Sequence, residues 1–428
     1  SFIAVDHNGI PLTQNITWAD TRSAPYVDRI LEQYAGHDIY KRTGTPIHAM
    51  SPFVKLVWFK EEHPDLFQRA TKFISIKEYI FYKLFGTYIV DHSIASATGL
   101  LNIHTLTWDD EALAIAGIRE DQLSTIVPTT FHITGLHKKY REAMGLTKDI
   151  PFIIGASDGV LANVGVGAVD SEVVALTIGT SGAILTITNQ PKTDLKGRTF
   201  CYALTESHWV IGAPVNSGGI ILRWLKDELM KEETNEALKV GMDPYDHLTE
   251  IAANIEPGSA GLIFHPFLAG ERAPLWNANA RGSFFGLGLH HKKAHLIRAV
   301  LEGITYNLYT VLLMIEELIG QQTRIHATGG FTKSAMWRQL LTDVFNRELV
   351  VPQSFDSSCL GAVILGMLAT GKISHFHEMT QKMICQHVHH PISEHVTIYQ
   401  EIFPIYQRLT HYYKHEYETL VQIQRKYE

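Results

Sequence analysis

The stretch Ile150-Pro-Phe-Ile-Ile-Gly-Ala-Ser-Asp-Gly159, followed after a small-residue run by Glu172-Val-Val-Ala-Leu-Thr-Ile-Gly-Thr-Ser-Gly182, decides how this chain is read. Two apolar, β-branched runs each end in glycine and a short polar turn, the way buried strands of an α/β sheet stop. Such strands deliver their polar clusters to the carboxyl edge of a sheet, where open α/β folds bind ligands. The first cluster offers a carboxylate, Asp158. The second offers backbone N–H groups and hydroxyls around Gly179, Thr180, Ser181 and Gly182. A base and a phosphate cradle together outline a phosphotransferase. Two blander readings stand beside this one: Asp158 as the N-cap of the helix that follows, and Thr180–Gly182 as an ordinary turn.

Working outward, 428 residues point to two domains. Composition shifts to a strand-rich run after Gly167, which places the boundary near Asp170 and divides the chain into 1–169 and 170–428. Hydrophobic content of 45% with 19% charged residues fits a soluble globular enzyme. A formal net charge of -7 argues against nucleic acid as a partner. Cys201, Cys359 and Cys385 are too few and too scattered for a disulfide framework, so a reducing cytoplasm is expected. No stretch reads as an uninterrupted apolar membrane span, and no membrane partner is expected. The start, Ser1-Phe-Ile-Ala-Val5, carries no basic segment or cleavage site and begins inside a strand without Met, so further chain is expected before it.

Asp6-His-Asn-Gly9 between two apolar runs reads as a hairpin turn joining Phe2–Val5 to Asn15–Trp18. Trp18, Asp20 and Arg22 follow at once. An indole can stack on a sugar face while a carboxylate and a guanidinium bond hydroxyls or an acid group; a surface turn with one packed Trp reads equally well. Residues 25–90 are mostly helical. Ser51-Pro52 opens one helix with a good cap, Phe53, Leu56 and Val57 form its apolar stripe, and Ile74–Phe85 makes another, stopped by Gly86. Asp91–Gly99 is small and polar, suited to a ligand or to a plain loop.

In the second half, Cys201–Leu204 and Trp209–Ala213 read as a hairpin pair, and Gly218 and Gly219 open a helix. Gly270–Gly282 is unusually polar for a Trp-containing stretch and reads as an ordered functional loop or as a plain bridge between the domains. His295–Ile319 is a long helix. The strand Arg324–Thr328 ends in Gly329 and Gly330, and Ser334 caps a helix carrying Trp337, Leu340, Leu341 and Val344. Paired glycines between strand and helix let a nucleotide approach the backbone closely. Ile402, Tyr406, Leu409 and Tyr413 share one face of a terminal helix that should pack on the second domain. His387, His389 and His390 lack acidic companions and a regular spacing, so no metal site is expected there.

These motifs resemble the FGGY family of carbohydrate kinases. Met50-Ser-Pro-Phe-Val-Lys-Leu-Val-Trp-Phe-Lys-Glu-Glu62 is similar to the family's first signature, and Gly282-Ser-Phe-Phe-Gly-Leu287 through His295-Leu-Ile-Arg-Ala-Val-Leu-Glu302 to its second. The resemblance covers essentially the whole chain. It implies an α/β fold of two ribonuclease H-like domains of the actin and sugar-kinase superfamily, with an interdomain cleft. By the same resemblance Asp158 matches the catalytic base. Gly179, Thr180 and Ser181 match a phosphate loop, Gly329, Gly330 and Ser334 belong to the adenosine motif, and Gly218 and Gly219 lie near the nucleotide. ATP and Mg²⁺ are the implied cofactors.

Among family members, Trp18–Arg22 and Gly270–Gly282 look most like those that phosphorylate gluconate, which implies a small sugar acid as substrate and admits a homodimer. Its carboxylate would need a cation: Arg22 is the first candidate and Arg272 the second. Three alternatives stay open: a kinase for xylulose or a related polyol or ketose, an actin-like or chaperone-like ATPase, and a non-catalytic sugar-sensing relative. The family's opening Asp-x-Gly-Thr loop and its Met-His pair are not in this sequence and are expected to precede Ser1.

Overall fold

The computed structural model describes residues 1–353, 356–380 and 383–427. The chain forms two compact units. One comprises Ser1–Gly165, Ile187–Ile211 and Asp356–Gln381; the other comprises Val166–Thr186, Gly212–Phe355 and Lys382–Glu428. The units interleave along the sequence, so each draws on segments from both sides of Asp170.

In the first unit, local signals set most boundaries. Ser51 Oγ accepts the N–H of Val54 at 3.4 Å and Pro52 occupies the first turn, so the helix Pro52–Glu62 starts where its cap requires. Phe53, Leu56 and Val57 are buried as expected. The next helix is Ile76–Phe85, not Ile74–Phe85. Ser75 and Glu78 form a capping box, which marks the start and leaves Ile74 in the strand Lys72–Ile74.

The Asp6–Gly9 turn exists, with Asp6 Oδ1 accepting from Asn8 and Ile10 at 2.8 and 2.9 Å. The expected hairpin forms as isolated antiparallel bridges, Phe2 to Ile16 and Val5 to Pro11, and the regular ladder of Ile3–Val5 lies on Lys72–Ile74. Pro11 has no N–H with which to continue a ladder. The hairpin Phe200–Thr205 and His208–Val215 forms as read.

The run at Ile150 also departs from expectation. Only Phe152–Ile153 is strand, half-buried and antiparallel to His132–Ile133, rather than a long buried strand. Pro151 removes a ladder donor on one side, and Gly155 at φ 71° turns the chain on the other. The helix Asp158–Gly165 that follows is nonetheless firmly seated. It crosses Ser357–Ala369 so closely that a Cβ on Gly165 would lie 1.7 Å from Ser357 O, and one on Gly361 1.9 Å from Leu161 O.

The second unit is built on a sheet whose centre matches the sequence reading. Val173–Ile178 is buried, runs parallel to Arg324–Gly329 and antiparallel to Gly182–Thr188. Glu348–Pro352 extends the sheet in parallel and Cys385–His389 closes it antiparallel. Register decides the site: Ile178 stands beside both Gly182 and Gly329, so the turns after these strands emerge at one edge.

The long helix Lys293–Ile319 runs through the core, and Ser393–Tyr413 covers it with Tyr399, Phe403 and Tyr406 buried and Ile402, Leu409 and Tyr413 packed alongside. Lys293–Ile319 is in fact long and apolar enough to cross a membrane by length and composition, contrary to the expectation that no segment is. Its apolar window is 78% buried inside this unit, the place of a core helix.

Candidate active site

Each unit contributes a polar centre. In the second unit, the strand Val173–Ile178 stops at Gly179 because the chain folds back at once: Gly179 N–H reaches Ser181 O at 2.9 Å. The carbonyls of this turn then cap the next helix. Gly219 N–H donates to Gly179 O at 2.7 Å and Ile220 N–H to Thr180 O at 3.0 Å. These two N–H groups are therefore committed to holding the turn. The hydroxyls of Thr180 and Ser181 are exposed and bond no other described residue, which leaves them for a ligand.

Beside this turn, Gly329 adopts φ 108°, where a Cβ would meet Ile178 O at 2.2 Å; only glycine fits. Gly330 is open, with nothing within 4 Å of an added Cβ. Thr332 Oγ1 ties the following single turn back to Gly329 O at 2.7 Å, and Ser334 Oγ accepts Trp337 N–H at 3.3 Å to start the helix Ala335–Phe345.

These turns bound a cavity of about 260 Å³. Ile178, Leu222, Phe331 and Trp337 supply its apolar surface, and Gly179, Thr180, Gly219 and Gly330 its backbone rim. Trp337 is buried, edge-on to Phe331, with its indole N–H 3.4 Å from Thr305 Oγ1, so it acts as a fixed wall. The far wall was not foreseen in the sequence: Asp243, Tyr245, Asp246 and Thr249, from the start of Pro244–Ala253, and the cations Arg223 and Lys333. Asp243-Pro244 is readable as a helix start, since Asp243 accepts Tyr245 N–H at 2.8 Å, but nothing local says which way that helix faces. Lys333 forms no ion pair among the described residues and can answer phosphate charge.

A buried carboxylate underlies this rim. Glu271 is 2% exposed and receives N–H groups of Asn216, Ser217 and Arg272, the Ser217 hydroxyl and the Asn307 amide. Burial pushes its carboxyl above the usual range, and the hydrogen bonds oppose that shift. Arg272, the second candidate for a substrate carboxylate, turns inward: Nε donates to Asn216 Oδ1 at 2.8 Å and Nη2 to Val215 O at 2.9 Å. It braces the loop before Gly218 and Gly219.

In the first unit, Asp158 is exposed at the first residue of its helix. Its Oδ1 takes the N–H of Gly159 at 2.8 Å, and its carbonyl accepts from Ser358 Oγ at 3.0 Å. The capping alternative does not hold: Asp158 lies inside the helix, and the N–H it accepts is that of the next residue rather than one two or three residues on. The Asp91–Gly99 stretch serves this region structurally. Buried Asp91 caps a short helix through Ser93 and Ile94, and Ser93 Oγ receives Ser157 N–H at 3.0 Å, one residue before Asp158.

The Trp18–Arg22 cluster lies in the same unit. Arg22 Nε and Nη2 fork onto the Asp20 carboxylate, the closest contact being 2.6 Å, and its guanidinium stacks 4.6 Å over Trp58 rather than over Trp18. The fork holds Asp20 below the usual carboxylate range. An exposed pair of this kind adds at most about 1 kcal/mol of stability, so shaping a surface suits it better than holding the fold. Trp18 is 60% exposed. Beneath them Lys55, buried on the helix Pro52–Glu62, donates to the carbonyls of Asp20 and Ala49. Burial pushes its ammonium down to about 8. The sequence singled out this helix by its stripe and missed Lys55, whose role appears only once the loop lies over it.

Known proteins place this geometry. Residues 1–165 match the N-terminal domain model, and residues 174–370 the C-terminal domain model, of the FGGY family of carbohydrate kinases. A curated protein of Bacillus licheniformis named "Gluconokinase" is 53% identical over 99% of this chain and 83% of its own length. Two solved structures from Lactobacillus acidophilus, one titled gluconate kinase and one titled ligand-bound xylulose kinase, each superpose with TM-score 0.93. Both are 38% identical and cover 98% of this chain and 84% of theirs. With both domain models matched in order, and with the strand-edge turns that a phosphate-binding fold requires, the chain belongs to the FGGY family of carbohydrate kinases.

Proposed function

We propose that this chain is an ATP-dependent gluconate kinase, transferring a phosphoryl group to the terminal primary hydroxyl of D-gluconate to give 6-phosphogluconate. The observation that carries the acceptor is the 53% identity to a gluconokinase along 99% of the chain. ATP is the phosphoryl donor of this family, and the second unit's cavity fits it: a glycine rim open at Gly330, hydroxyls at Thr180 and Ser181, and a cation at Lys333.

Asp158 accepts the hydroxyl proton and orients the oxygen, help worth about 10²–10⁴-fold. The hydroxyls of Thr180 and Ser181 hold phosphate oxygens, and Gly179, whose N–H closes the turn onto Ser181 O, keeps that turn tight. Gly329, Gly330 and Ser334 shape the nucleoside side, and Gly218 and Gly219 back the phosphate turn. Positioning and charge stabilisation supply the remainder, as in phosphoryl transfer generally. Among the described residues no group of three His, Cys, Asp or Glu side chains could hold a metal ion, so Mg²⁺ would enter with the nucleotide's phosphates and would supply charge stabilisation there.

Gluconate brings its own carboxylate, which Asp158 repels. Arg22 is the partner for that end: its Nη1 carries no hydrogen bond among the described residues, while Asp20 fixes the other face of the fork. Trp18 offers a sugar-stacking surface. The three free thiols, two of them exposed, fit a reducing cytoplasm.

A second reading, a xylulose kinase, is favoured by the structure of that title, which matches as well as the gluconate kinase does. An ATP-consumption assay across gluconate, xylulose, glycerol and ribulose decides between them. Preference for a neutral ketose by tenfold or more in kcat/KM would overturn the gluconate reading.

A further inference from the structure

We propose that Glu271 is a positioning residue for nucleotide binding, whose buried carboxylate sets the turn 216–219 that holds the phosphate loop in place. This rests on the reading of the second unit's cavity as the nucleotide site and goes beyond it by naming what keeps the site in register. Glu271 touches no cavity atom itself and acts through others.

The chain of contacts is short. Glu271 gathers donors from three separate segments: the backbone N–H groups of Asn216 and Ser217 with the Ser217 hydroxyl at 2.5 Å, its own neighbour Arg272 N–H at 2.8 Å, and Asn307 Nδ2 at 2.8 Å from the core helix. Ser217 Oγ also lies 2.9 Å from Pro266 O, and Arg272 Nε reaches back to Asn216 Oδ1 at 2.8 Å. The turn is therefore anchored at both its backbone and its side chains. Immediately after it, Gly218 lies so close to the phosphate turn that a Cβ there would meet Ser181 C at 2.5 Å, and Gly219 N–H bonds Gly179 O at 2.7 Å. A displacement at Asn216–Ser217 is transmitted within two residues to Gly179–Ser181.

A carboxylate suits this task because it only accepts. Four converging N–H groups and one hydroxyl need two oxygens with no donor among them. Burial strengthens the arrangement and makes any mismatch costly. Gln at this position presents an NH₂ to donors already facing it, so it disturbs the turn while keeping the volume. Asp keeps the charge and withdraws it by one methylene.

The test is Glu271→Gln, Glu271→Asp and Ser217→Ala in the full chain, each followed by calorimetric titration with ADP, by KM for ATP and for gluconate, and by thermal unfolding. For Glu271→Gln we expect ADP to bind at least tenfold more weakly, KM for ATP to rise by a similar factor, and KM for gluconate to stay within twofold. Glu271→Asp should fall between this and wild type, and Ser217→Ala should cost two- to fivefold in ADP affinity, with backbone donors remaining. ADP affinity within twofold of wild type in folded Glu271→Gln overturns the proposal. So does an equal loss in both KM values, which marks a general structural role. If Glu271→Gln does not fold, Ser217→Ala with unchanged ADP affinity overturns it instead. Wild-type chain that binds ADP yet turns over no gluconate would overturn the acceptor assignment alone, since the ADP titration does not depend on it.

Discussion

The two polar centres of this molecule are built by opposite means. In the second unit the cavity is shaped by backbone turns, Gly179–Ser181, Gly329–Gly330 and Gly218–Gly219, whose close packing sets where the hydroxyl of Thr180 and the cation of Lys333 stand. The charged side chain that matters most there, Glu271, is buried beneath them. In the first unit the groups proposed to meet ligand are side chains, Asp158, Asp20 and Arg22, and the buried charge of that unit, Lys55, grips the backbone carbonyls of Asp20 and Ala49. A phosphate chain is recognised well by fixed dipoles at a strand edge. Choosing one alcohol on one sugar acid takes side chains. On the proposed reading, a donor end shaped by backbone serves an acceptor end made of side chains.

The sharpest way to break this contrast is Asp158→Asn, which removes the base and keeps the shape. We expect kcat to fall by about 10²–10⁴-fold while ADP affinity is unchanged; near-normal turnover would remove Asp158 from the chemistry. Next is Gly329→Ala, which tests whether the donor end depends on backbone. The strained φ and the clash with Ile178 O should weaken ADP binding at least tenfold and cost about 1–3 kcal/mol in chemical denaturation.

Arg22→Ala probes the acceptor end. KM for gluconate should rise about tenfold, the loss of one charge-assisted hydrogen bond, with KM for ATP and residual activity on neutral xylulose unmoved; a parallel loss on xylulose would mean that Arg22 shapes the loop rather than reads the acid. The smallest effect is expected from Ser334→Ala, which deletes a cap and should cost about 1 kcal/mol in thermal unfolding with a change in KM for ATP below threefold.

Much of this was legible in the residues because it is local. Ser51 and Ser334 cap helices wherever the chain goes, and β-branched Val173–Ile178 ending in glycine reads as a buried strand with a turn at its edge. Local reading failed where neighbours in space overrode neighbours in sequence. Ile3–Val5 pairs with its returning segment only at isolated bridges and takes its regular ladder from Lys72–Ile74. Pro151 and Gly155 shortened to two residues a run whose composition promised a long strand. Lys293–Ile319 has the apolarity of a membrane span and is a core helix, because the sheet and the helix Ser393–Tyr413 enclose it. Arg272 reads only as a candidate for the substrate carboxylate, and its hydrogen bond to Asn216, 56 residues away, is not legible locally.

The sequence by itself determined the family and the glycine turn after Val173–Ile178, since signatures, caps and glycine steps act over a few residues. Tertiary structure alone decided that Ile178 stands level with both Gly182 and Gly329, that Glu271 collects Asn216, Ser217 and Asn307, and that Lys55 lies under Asp20. Register and burial depend on which distant segments pack together, and a buried charge acquires its role only from the donors or acceptors that packing brings to it.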